Sequence, residues 1–104
     1  MTATQRRRVA ATYRMIDRLP KAGALVVVHA HSAISPIRDL IVRRRGDVIA
    51  RDVRVVCAPT ENDEVAIAAG TELPVFREPF VEEARAHAIA LAEARGPALL
   101  RLRP

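Results

Sequence analysis

The chain of 104 residues has no tryptophan, and its aromatic side chains are Tyr13, Phe76 and Phe80 alone. Platforms that stack successive bases of a single strand need repeated aromatic faces, so this scarcity argues against a surface of that type. Cysteine is rarer still. Cys57 has no partner for an internal disulfide, and small secreted domains usually lean on several bridges, so a reducing, cytoplasmic setting is expected. Apolar runs are short. Even the longest continuous ones, such as Ala24 to Val28, fall far below the roughly 20 residues that cross a bilayer, which argues against a membrane span or a membrane partner. Tyr13 and Arg14 interrupt any apolar stretch that a secretory signal would need after Arg8. Tight metal and nucleotide signatures are missing too: the sequence holds no C-x-x-C, H-E-x-x-H or G-x-x-x-x-G-K-[ST].

What is present is an apolar half, 28% charged residues and a net charge of +5. That balance can bury a core and predicts one folded domain over residues 1–104. Lys21 is the single lysine among 17 basic residues, and the remainder are arginines. Arginine suits phosphate and carboxylate, yet the chain is also rich in alanine, and GC-rich codon usage raises both together. The charge favours polyanionic partners on either account.

Along the chain, Val9, Tyr13 and Ile16 fall at helical spacing and predict a first helix from about Gln5 to Leu19, ended by Pro20 and Gly23. Leu25 to Ala30 is a β-branched run without alternation, the pattern of a central strand covered on both faces. Ser35 as N-cap and Pro36 as first residue open a second helix, which runs to about Arg45 and stops at Gly46. Val53 to Ala58 repeats the strand pattern, and the segment from Pro59 to Asp63 caps a short helix ending at Gly70. Leu73 to Arg77 is a third strand, with Pro74 near its start. Pro79 or Phe80 opens a last helix that reaches Arg95 and closes at Gly96-Pro97. Ala98 to Arg103 alternates leucine and arginine like an exposed edge strand. Such alternation predicts a small three-layer α/β domain with a mostly parallel sheet of about four strands.

In open α/β sheets, ligands bind beyond the carboxyl ends of the strands. Three loops there gather polar residues: His29 to Ser32, Cys57 to Glu64, and Arg77 with Glu78. His29 and His31 would share a face if the strand continued that far, and with Cys57 they form the candidate set for a metal or for a thiol enzyme. A lone buried cysteine is more often a small hydrophobe. Ser32 and Ser35 flank a helix N-terminus with free backbone donors, and with Arg38 they form a candidate phosphate site. Arg43, Arg44 and Arg45 close the second helix, where the dipole already favours cations. Arg6, Arg7 and Arg8 sit at the unfavourable end of the first helix. They are the better candidates for polyanion contact, and residues 1–8 form a candidate basic arm.

The segment from Arg14 to Arg45, with the apolar run Val26-Val27-Val28 and Ser32 beyond it, resembles the part of a P-loop NTPase, of helicase or viral packaging type, that follows the phosphate-binding loop. The resemblance covers roughly the first 60 residues. Its departures bear on activity: the phosphate-binding loop is missing, and Val53 to Cys57 ends in Cys57-Ala58 where a magnesium-binding acid would stand. The resemblance therefore implies a shortened relative without ATPase chemistry.

The expectation is a non-catalytic accessory domain of bacterial or phage type, with no cofactor. Arg6, Arg7, Arg8, Ser32, Ser35, Arg38, Arg43, Arg44 and Arg45 would carry contacts to nucleic acid or to a nucleic-acid-handling protein. The alternatives are an interaction or assembly subunit, for example a homo-oligomer, and an enzyme built on His29, His31 and Cys57.

Overall fold

The computed structural model describes residues 2–101, with helix α1 at Ala3–Asp17, strand β1 at Ala24–Val28 and helix α2 at Ile34–Arg51, preceded by a 3-10 turn at His31–Ala33. Strand β2 at Val53–Cys57, helix α3 at Glu61–Ala69, strand β3 at Val75–Arg77 and helix α4 at Val81–Arg101 follow. The sheet is parallel throughout, in the order β2-β1-β3. β1 is therefore central, as its uninterrupted apolar sequence predicts: all five of its residues are buried. Full burial of side chains such as Val26, Val27 and Val28 contributes about 1.5–3 kcal/mol each.

Helices cover both faces. On one, Met15, Ile16 and Leu19 join Ile37 and Ile41 of α2 against Ala24, Val26 and Val28. On the other, Ile67 of α3 packs on Leu25, Val27 and Ala58. The small α/β fold is thus as expected, with three strands in the sheet. The segment from Ala98 that reads as a fourth strand continues α4 instead, which runs through Gly96-Pro97 as far as Arg101. Proline removes a single helical hydrogen bond, and the alanine-rich sequence before it has strong helix propensity. Arg103 lies outside the described residues.

Two helix starts differ from the sequence reading, and the expected stop at Gly46 is present as a break in α2. α1 starts at Ala3 because Thr2 and Gln5 form a reciprocal capping box: the Gln5 amide donates to Thr2 Oγ1 at 3.1 Å, and the Thr2 amide donates to Gln5 Oε1 at 2.7 Å. Arg6, Arg7 and Arg8 are therefore helical. α2 starts one residue before Ser35, with Ala33 as its N-cap and no side-chain cap bond. At Gly46, φ 83° and ψ 169° break the helix, but the chain resumes helical geometry and brings Ile49 and Ala50 onto the core.

The end of α1 is tied to α2. Arg45 donates to the Ile16 carbonyl at 2.7 Å and the Leu19 carbonyl at 2.9 Å. Arg44 forms a bidentate pair with Asp17 and lies 4.2 Å from the Tyr13 ring centroid. That pairing holds the Asp17 carboxyl below its ordinary pKa, chiefly through the hydrogen bonds from Arg44.

Candidate functional site

β2 and β3 lie on opposite sides of β1. The chain leaves β1 through α2 on one face and reaches β3 through α3 on the other, so the direction of winding reverses between β1 and β3. Their carboxyl ends diverge at this point and leave a crevice. A cleft of about 800 Å³ occupies it, walled by α1, α2 and α4. His29 follows β1 and Glu78 follows β3 by one residue each, which places both in the lining. α1 contributes Arg8, Val9, Thr12 and Tyr13; α4 and its lead-in contribute Phe80, Glu83 and His87.

Charge in the cleft is partly paired. Arg8 donates to Glu83 at 3.0 Å and lies 5.0 Å from the centroid of the Phe80 ring. Burial raises the Glu78 carboxyl above its ordinary pKa; a hydrogen bond from the Phe80 backbone and the charges of His29 and Arg8 oppose that rise. His29 Nδ1 is buried without a hydrogen-bond partner. Buried polar atoms are nearly always satisfied, so an orphan in a cleft lining is a place where a ligand or water can supply the missing bond. The wall thus combines apolar and aromatic surface with a few polar groups, the usual constitution of a small-molecule or nucleotide pocket.

The residues expected to bind phosphate are dispersed. Arg6 and Arg7 are exposed on the first turns of α1 and form no ion pair among the described residues. Ser32 is exposed in the 3-10 turn and Ser35 is exposed within α2. Arg38 lines a separate small groove with Asp47, and Arg43 is exposed farther along α2. Arg8, Arg44 and Arg45 already serve the internal contacts described above, so part of the basic sequence is structural.

His29, His31 and Cys57 do not come together as a metal set. Among the described residues no group of three His, Cys, Asp or Glu is placed to hold a metal ion. Val28 pairs with Cys57 in register, but His31 has entered the 3-10 turn and is exposed. The strand alternation that would have aligned it with His29 ends before it.

Tyr13, Thr12, Phe80, Glu83 and His87 were not singled out as site residues by sequence reasoning. Their placement depends on α1 and α4 both passing the carboxyl end of the sheet. The strand-end rule locates His29 and Glu78, but not which helices wall the crevice. Comparison with protein-family models, curated proteins and solved structures finds no match for this chain. No helix among the described residues is long and apolar enough to cross a membrane.

Proposed function

We propose that this protein is a non-catalytic nucleic-acid-binding domain that takes an unpaired nucleotide into the crevice between β1 and β3. The supporting observation is the position and make-up of the cleft: it lies where the winding reverses, and two of the chain's aromatic residues, Tyr13 and Phe80, line it. A base is flat and apolar on its faces and polar at its edge. Its faces suit Tyr13 and Phe80, and its edge suits His29 and Glu78. The flanking phosphates meet Arg6 and Arg7, which have no carboxylate partner among the described residues. The reading accords with the resemblance of the Arg14 to Arg45 segment to a shortened P-loop relative, in which binding would persist without hydrolysis.

A rival reading, an assembly subunit, draws on Val65, Ile89 and Leu91, which are exposed on α3 and α4. It predicts an oligomer or partner complex insensitive to oligonucleotides. Fluorescence anisotropy of labelled single- and double-stranded oligonucleotides at several salt concentrations separates the two. The nucleic-acid reading expects tighter binding of the single strand and a steep salt dependence. Arg6→Ala with Arg7→Ala should flatten the slope by about 1.4, two phosphate contacts' worth on a single strand. Tyr13→Ala should cost roughly tenfold on the single strand, the loss of one stacked base. Absence of binding even at low salt overturns the proposal.

A further inference from the structure

We propose that the open edge of β3 is a docking site for an extended acidic segment of another protein, added as a strand whose side chains on the α1 face are acidic. The inference concerns the opposite side of β3 from the nucleotide cleft's β1 wall and does not rest on the nucleic-acid reading.

The backbone supplies the first half of the argument. β3 pairs with β1 on one side and ends the sheet on the other. The Leu25 amide donates to the Pro74 carbonyl, and the Glu78 amide donates to the Val27 carbonyl, both at 2.9 Å. Backbone groups of a strand in a parallel ladder alternate in direction. Residues 74, 76 and 78 therefore turn toward β1, and Val75 and Arg77 turn their N–H and C=O groups outward. No other backbone segment among the described residues bonds to them. These groups form a template for one added strand.

The side chains supply the second half. Pleating sends alternate residues of an added strand to opposite faces of the sheet, and the face toward α1 has a groove beside β3. Toward α1, a groove of about 330 Å³ runs between Phe76 and the α1 residues Arg14, Met15 and Arg18. Arg14 and Arg18 are exposed and have no ion-pair partner among the described residues. The face toward α1 therefore attracts carboxylates. The occupant with that charge is an acidic strand.

Charge also decides against two nearer occupants. A second copy pairing β3 to β3 about a twofold axis would bring both sets of Arg14 and Arg18 onto the same face of the joined sheet. The chain's own final residues include Arg101 and Arg103, which have the wrong sign for the α1 groove.

The test titrates the isotopically labelled full chain with two synthetic peptides, one alternating Glu and Val and one alternating Lys and Val, and follows amide exchange. The Glu peptide should bind and protect the Val75 and Arg77 amides, while the Lys peptide should not. Reversing both exposed charges, Arg14→Glu with Arg18→Glu, should weaken the Glu peptide by about tenfold or more and admit the Lys peptide. N-methylation of alternate peptide groups on the Glu peptide should abolish binding, since it removes the strand hydrogen bonds and leaves the charges. The proposal is overturned if the Glu peptide leaves the Val75 and Arg77 amides unprotected, or if the charge reversal leaves its affinity unchanged. It is equally overturned if the reversal removes oligonucleotide binding and not peptide binding.

Discussion

Arginine does several different jobs in this chain, and the count alone cannot separate them. Arg45 is half-buried and donates to two carbonyls at the carboxyl end of α1, where backbone partners run out: Ile16 also accepts from the Leu19 amide, and Leu19 has Arg45. Arg6 and Arg7 sit on the solvent side of the opposite end. Their replacements should therefore fail in different assays. Arg45→Ala should lower the urea midpoint, with a loss of about 2 kcal/mol for two charge-assisted bonds, and should leave the salt slope of oligonucleotide binding unchanged. Equal stability of that variant would show that water serves the Ile16 and Leu19 carbonyls as well as the guanidinium does.

At the scale of elements, α4 is the least supported long helix. Its anchor is its first turns, where Val81 is buried and Arg85 is 8% exposed. Arg85 donates to the Ala58 carbonyl and to Glu64; Glu64 also accepts from Arg77, which reaches Glu82. Arg85→Met keeps most of the stem while stripping donors from Glu64 and Ala58. Breaking a mostly buried pair in this way should cost about 3 kcal/mol and speed amide exchange along α4. Adding Glu64→Gln removes a charge that has then lost one of its two arginine partners, so the double variant should lose less than the sum of the two single changes.

The strands β1 and β2 were legible because both read as compact β-branched runs, and α3 because Thr60 and the acids after it signal a helix start. The capping box of Thr2 and Gln5 is equally present in the sequence, three residues apart. α4 was misjudged at its end because Gly96-Pro97 is a common stop that the surrounding helix propensity overrode. The Arg85 network could not be read at all. It joins residues more than twenty positions apart, and local spacing contains no trace of a bond between α4 and the loop after β2.

The molecule as a whole carries two carboxyls whose shifts have opposite sign, so its pH dependence has two separable parts. Asp17 is held low by Arg44. Its contribution is present above the ordinary carboxylate range and is lost as pH falls through the lowered folded-state value. Glu78 is raised by burial in the cleft. The folded state then binds its proton more tightly than the unfolded state, so stability declines as pH rises from the ordinary carboxylate value through the raised one. Asp17→Asn and Glu78→Gln should therefore diverge from the parent in opposite directions. In urea unfolding across acid to neutral pH, both variants should match the parent more closely in acid, where the carboxyls are protonated. Toward neutrality the Asp17 variant should fall below the parent and the Glu78 variant should rise above it. A Glu78→Gln gap that stays constant over this range would mean that the side chain's charge is solvated in the folded protein. The cleft would then be wetter than its lining implies, and Glu78 would be free to meet a base edge only in its ionised form.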